Sequence, residues 1–178
     1  SSGLSSKIGS LGYCARIVSS GRPDQIVSGG ESAQISSIGP SAKICSSGDF
    51  AKIGSSGIYA KIGTSGDFAN IGSDGDYAKI GSSGVSANIV SSGNYTKIGS
   101  SGKNAKIESS GQDSVICCAG GSSMVRAKKG SWITLSEWRY SVKKRLDIPV
   151  CVKTEFVDGE RIKEDTWYKL VDGEFVEL

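Results

Sequence analysis

Isoleucine recurs at positions 8, 17, 26, 35, 44, 53, 62, 71, 80, 89, 98, 107 and 116, and Val125 continues the series. The step is nine residues, without an insertion. Glycine keeps the same step from Gly3 through Gly12 and Gly21 to Gly120. Residues 3–128 are therefore fourteen nine-residue units, and Gly75-Asp-Tyr-Ala-Lys-Ile-Gly-Ser-Ser83 is representative. Within it, Tyr77-Ala78-Lys79-Ile80 reads outward, inward, outward, inward, the periodicity of a β-strand. The Ser-Ser-Gly-Asp that follows is turn chemistry.

Nine residues cannot close a coil of chain, but two units can, as strand, turn, strand, turn. Fourteen units then make about seven coils. This predicts an all-β fold, a parallel β-solenoid of the β-roll type, in which each coil buries a few side chains against its neighbours. The rival arrangement is an antiparallel meander with a hairpin at each Ser-Ser-Gly. Near-identical units favour stacking like on like, so the solenoid takes precedence.

Alternate units must then share a face. One face carries Lys43, Lys61, Lys79 and Lys97 beside Tyr59, Tyr77 and Tyr95. The other carries Arg16, Gln34, Lys52, Asn70, Asn88 and Lys106, with Phe50 and Phe68.

The pattern changes near residue 125, and Trp132, Trp138 and Trp167 all lie beyond it. Residues 1–128 are expected to form the solenoid and residues 129–178 a small antiparallel β cap over its open end. Ser131–Trp138 reads as a strand, Tyr140–Asp147 as a basic loop, and Val150–Val157 as a second alternating run. Asp158-Gly159 and Asp172-Gly173 are each a two-residue hairpin signal.

Composition narrows the functional classes. Glycine is 25 of 178 residues, about twice ordinary usage, whereas proline is only 3, which excludes collagen and Pro-rich linkers. No run approaches the ~20 apolar residues of a helical membrane span. The net charge of +3 divides unevenly. Residues 1–128 hold 12 Lys and Arg against 8 Asp and Glu, and residues 129–178 hold 9 against 10, so the basic excess lies in the repeats. Cys14, Cys45, Cys117, Cys118 and Cys151 are odd in number and irregular in spacing. Adjacent Cys117 and Cys118 should point to opposite faces of a strand. Free thiols in a reducing compartment, such as bacterial or host cytoplasm, are expected. Ser1-Ser2 fit the last two positions of a preceding unit, so the chain is read as a fragment of a longer repeat protein.

The nine-residue period resembles the calcium-binding β-roll repeats of secreted toxins, which use Gly-Gly-x-Gly-x-Asp. Here Asp follows the glycine only at Asp49, Asp67 and Asp76 and the second glycine is mostly missing, so no calcium site is expected. A looser likeness is to the head repeats of trimeric autotransporter adhesins. The tail is closer to something known. Gly130-Ser-Trp-Ile-Thr-Leu-Ser-Glu-Trp138, Val157-Asp-Gly-Glu-Arg-Ile162, Asp165-Thr-Trp-Tyr-Lys-Leu170 and Asp172-Gly-Glu-Phe-Val176 resemble the C-terminal end of uncharacterised phage and prophage proteins of gut bacteria. The resemblance covers most of the chain and implies a phage or mobile-element setting. It carries over no catalytic residue.

The residues themselves argue against catalysis. The chain has no histidine, which removes Ser–His and Cys–His nucleophiles and the usual zinc sites. Neither a phosphate loop nor a dinucleotide fingerprint is present. Glu155, Asp158, Glu160, Glu164 and Asp165 cluster beside turn signals, as solvated loops do, rather than as a glycosidase pair. Ice binding would need regular threonine ranks, but the repeats hold only Thr64 and Thr96.

The expectation is thus a non-enzymatic structural or interaction module without cofactor, metal or membrane span, self-associating or binding a protein partner. The Lys43, Lys61, Lys79, Lys97 ladder with Tyr59, Tyr77 and Tyr95 is the candidate ligand face. It first reads as identical positions stacking identical side chains. The alternative is adhesion, or binding of a polyanion or carbohydrate, and a third reading is an accessory part of a protein whose active domain lies elsewhere.

Overall fold

The computed structural model describes residues 5–178. Ser1, Ser2 and Gly3, which extend the repeat register, lie outside the described residues. Two parallel sheets face each other. One takes β1 (Lys7–Ser10), β3 (Gln25–Ser28), β5 (Lys43–Ser46), β7 (Lys61–Thr64), β9 (Lys79–Ser82), β11 (Lys97–Ser100) and β13 (Val115–Cys118). The other takes β2 (Arg16–Ser19), β4 (Gln34–Ser37), β6 (Lys52–Ser55), β8 (Asn70–Ser73), β10 (Asn88–Ser91), β12 (Lys106–Ser109) and β14 (Met124–Ala127). Every strand pairs with the one eighteen residues away, as Lys79 does with Lys61 and Lys97. Seven coils result, a rod of roughly 34 Å at ~4.8 Å per coil. The chain is a parallel β-solenoid ended by antiparallel strands.

The strand is offset from the expected one by two residues. It runs Lys79–Ser82, not Tyr77–Ile80. Lysine and glycine point out, while isoleucine and the first serine of each Ser-Ser pair point in. Tyr77 sits in the turn with φ +58, and Ala78 is buried between turn and strand. The reason is hydrogen bonding between coils. The Tyr77 N–H donates to the Asn94 carbonyl of the next coil (2.9 Å), while the Lys79 N–H donates to the Ala60 carbonyl of the previous one (2.8 Å). A backbone that bonds forward and then backward within three residues must reverse its peptide orientation, and the left-handed conformation at Tyr77 does that. Thirteen non-glycine residues, from Ser5 to Ser122, repeat this conformation in the described turns.

The turn glycines make the stacking possible. A Cβ on Gly75 would stand 2.1 Å from the Gly57 carbonyl oxygen, and one on Gly84 1.9 Å from that of Gly66. Only a bare Cα lets successive turns approach so closely. Inside, the isoleucine columns of both sheets form one apolar cluster running the length of the rod.

The tail closes the solenoid at one end. β15 (Trp132–Ser141) first stacks parallel on β13, pairing Trp132 with Val115 and Leu135 with Cys118. It then pairs antiparallel with β16 (Leu146–Phe156). β17 (Tyr168–Val171) covers β14, and β18 (Glu174–Glu177) returns along β17. Buried Leu135, Val157, Ile162, Tyr168 and Leu170 complete the apolar column.

Two local expectations need correcting. Tyr140–Asp147 is not a loop: the strands run on to Ser141 and restart at Leu146, so the basic residues Lys143, Lys144 and Arg145 form the tip of a long hairpin. Alternation is weak there because little of the hairpin packs against the rod. Of the two Asp-Gly pairs, only Asp172-Gly173 (φ +49 and +76) turns a hairpin, between β17 and β18. Asp158 instead accepts the N–H groups of Glu160 (2.9 Å) and Ile162 (3.0 Å) and curls a loop. Its downstream residues, Glu160 to Asp165, bury only Ile162 and offer no apolar face for a strand.

Candidate ligand face

Lys43, Lys61, Lys79 and Lys97 open β5, β7, β9 and β11, and stack in register on the outer surface of one sheet. The ladder ends at Gln25 on one side and Val115 on the other. Tyr59, Tyr77 and Tyr95 stand apart from it, on the corner where the chain enters these strands. Their rings stack on one another at 5.2 and 5.1 Å with interplanar angles of 19° and 14°. Phe50 and Phe68 do the same at the opposite corner, at 5.1 Å and 8°.

This geometry decides what the tyrosines can do. Slotting a base or sugar between two rings needs roughly twice the ~3.4 Å stacking distance, and a 5.1 Å spacing leaves no room. The rings satisfy one another and stabilise the corner. What the column presents to solvent is ring edges, hydroxyls and the outer faces of its terminal rings, Tyr59 and Tyr95.

Beside the lysines runs a floor that residue spacing alone did not single out. The next outward position of each strand is Gly63, Gly81 and Gly99, bounded by Cys45 and Cys117 at its two ends. With the lysine stems, Cys45, Gly63, Gly81 and Gly99 form an open, mainly apolar groove of about 820 Å³ that ends at Val115. The opposite sheet has a smaller counterpart of about 490 Å³, bordered by Val18 and Val90. Glycine at that position was visible in the repeat, but its meaning depended on knowing which way it points.

Charges divide the molecule. Every ion pair of the described residues involves residues from Lys103 onward. Arg161 and Lys153 bracket Glu155, which is only 11 % exposed, and the Arg161 guanidinium holds its carboxyl below the usual range. Arg139 bridges Glu137 and Asp172, and the Gly173 N–H, with Arg139, holds Glu137 low. On the second sheet, Lys106 and Arg126 lie over the Trp167 ring at 4.8 and 5.2 Å. The ladder lysines take part in none of these contacts. The neighbouring aspartates accept backbone N–H groups of the following coil: Asp49 from Asp67 (2.8 Å), Asp67 from Val85 (2.7 Å) and Asp76, the one nearest Lys79, from Asn94 (2.8 Å).

The cysteines are free. Cys117 faces out and Cys118 in, as strand alternation requires, and burial pushes the Cys118 thiol up to about 12, which leaves it inert. Among the described residues no three His, Cys, Asp or Glu side chains gather where they could hold a metal ion, and no helix is long and apolar enough to cross a membrane. No family model, curated protein or solved structure matches the chain, so its reading rests on the geometry above.

Proposed function

We propose that this chain is a non-enzymatic β-solenoid module, a rod that holds interaction surfaces within a larger phage- or mobile-element-associated protein of a reducing compartment. The observation that carries the reading is the unbroken register. Seven coils repeat without an insertion, and insertions are where repeat proteins usually build unique sites. The tail resemblance to prophage proteins supplies the setting. Mass spectrometry of particles purified after prophage induction in the source bacterium tests it. Peptides of this chain should co-purify with the particles, and their recovery only in the particle-free fraction overturns the setting.

A second reading has its own support, namely adhesion or binding of a polyanion or carbohydrate through the Lys43, Lys61, Lys79 and Lys97 face. Four lysines at strand spacing repel one another by roughly 0.8 kcal/mol per adjacent pair in a water-like dielectric, less with salt. Among the described residues no carboxylate pairs with them, whereas four of the nine Lys and Arg of residues 129–178, namely Arg139, Lys153, Arg161 and Lys163, have carboxylate partners. A bound polyanion relieves that repulsion.

A further inference from the structure

We infer that the tip of the β15–β16 hairpin is a docking element for an anionic lipid surface, with its aliphatic side chains below the headgroups and its cations among the phosphates. The inference stands apart from the lysine-ladder reading, because it uses none of the ladder residues.

Placement comes first. β15 pairs with β13 only through residues 132–135. Trp138 then crosses the last turn, its indole N–H donating to the Ala119 carbonyl (2.9 Å). Past that point residues 139–141 continue as a ribbon with residues 146–148. Ion pairs of Lys103 with Asp147 and of Arg139 with Asp172 anchor the ribbon just below its tip. The turn at residues 142–145 is thus held out on a fixed stem. Charge and apolar surface meet there. Lys143, Lys144 and Arg145 are consecutive and exposed, and among the described residues no carboxylate pairs with them. Asp147, the acid nearest in sequence, is taken by Lys103. Beside these cations Val142 is 82 % exposed, Tyr140 63 % and Leu146 51 %.

A lipid surface uses both kinds of side chain. Anionic headgroups attract the cations, the aliphatic groups gain by leaving water, and tyrosine settles at the boundary. The turn also brings two satisfied backbone donors. The Arg145 N–H donates to the Ser141 carbonyl (2.7 Å) and the Lys144 N–H to Ser141 Oγ (3.3 Å), which lowers the cost of leaving water. Nucleic acid would use the cations alone, since Val142 and Leu146 offer no hydrogen bond to a base edge. A protein partner needs roughly 800 Å² on each side, more than one short turn provides. A bilayer, in contrast, yields around a narrow tip.

The test is co-sedimentation of the full chain with vesicles of equal parts phosphatidylglycerol and phosphatidylcholine, with phosphatidylcholine vesicles and a short duplex DNA as comparators. The chain should bind the anionic vesicles, more weakly as salt rises, and not the neutral ones. Lys143→Gln/Lys144→Gln/Arg145→Gln should lose about a hundredfold in affinity, at roughly fivefold per cation. Val142→Ser/Leu146→Ser should lose about tenfold. Both variants should melt with the parent, since all five side chains are exposed. Lys61→Gln/Lys79→Gln/Lys97→Gln should stay within about twofold of the parent, because charges held away from the surface are screened. Absence of binding to the anionic vesicles overturns the inference. Vesicle binding that is lost with the ladder lysines but survives loss of the tip cations also overturns it, and favours the ladder as the polyanion site. Binding that needs the tip cations but ignores Val142→Ser/Leu146→Ser overturns the insertion of the tip. Tighter binding of the duplex DNA through the tip cations overturns the lipid assignment in favour of nucleic acid.

Discussion

The coils and the cap solve the same problem by different means. Residues 5–130 bury short side chains in columns, link each turn by hydrogen bonds to the coils on either side, and contain few ion pairs. Residues 131–178 hold the three tryptophans, the buried Tyr168 and a dense set of ion pairs. The coils obtain stability from repetition, because every position meets its own kind eighteen residues away. The cap has no such partner on its outer side. It must end the stack with unique contacts, so it uses large rings, fixed charges and strands of ten and eleven residues in place of four. Repetition thus specifies a fold with very little side-chain variety, and ending it requires ordinary globular chemistry.

The sharpest way to break the comparison is through the turn glycines. Gly75→Val drives a side chain into the Gly57 carbonyl and should cost more than about 4 kcal/mol, seen as loss of the cooperative melt. Ile80→Asp places a carboxylate in the apolar column and should cost about 4 kcal/mol by urea unfolding. In contrast, Lys79→Asp should stay within about 0.5 kcal/mol of the parent. Equal melting temperatures for the two aspartate variants would show that the assignment of inner and outer faces is wrong.

The cap should fail through its charges. Glu155→Gln should cost about 1–2 kcal/mol, because Arg161 and Lys153 lose their shared partner. Acid should act the same way. Glu137, Glu155, Asp158 and Glu177 are all held below their ordinary values, by hydrogen bonds and cations of the folded cap. Groups depressed in this way stabilise the fold above the unfolded value of about 4, and that stability is lost as pH falls through the folded values. Tryptophan fluorescence, which reports only the cap, should therefore change below pH about 4 before the β signal of the coils does. Simultaneous loss of both would mean that coils and cap unfold as one unit.

The smallest expected effect sharpens the picture of the coils. The inward hydroxyls of Ser73, Ser82, Ser91 and Ser100 are buried and have no hydrogen-bond partner. Near the cap the same position is already Cys118 and then Ala127. Ser82→Ala should leave stability unchanged or raise it by about 0.5–1 kcal/mol, read as a higher melting temperature.

Much of this was legible from spacing alone. A nine-residue period without insertions implies paired units, and paired units imply two different faces, so the membership of the lysine ladder followed before any coordinates. The phase of the strand did not follow. Tyrosine and phenylalanine look like strand residues, and nothing in their chemistry points to a left-handed turn. The one clue lay in the other occupants of that position, among them Asn104 and Asp113, which tolerate such a backbone. The tail was less legible because each of its elements occurs once. Asp158-Gly159 and Asp172-Gly173 are the same dipeptide with different outcomes, decided by what packs against the residues that follow.

By itself the sequence determined the period, the pairing of units and the residues that share a face, because all three are properties of spacing. The tertiary structure decided that the glycine after each isoleucine, as at Gly81, is the second outward residue of its strand, that the tyrosines stack face to face in the corners, and that Gly81 is a floor whereas Gly75 is a point of close approach. Those properties depend on the distance from each residue to the coil beside it, and that distance exists only once the coils are stacked.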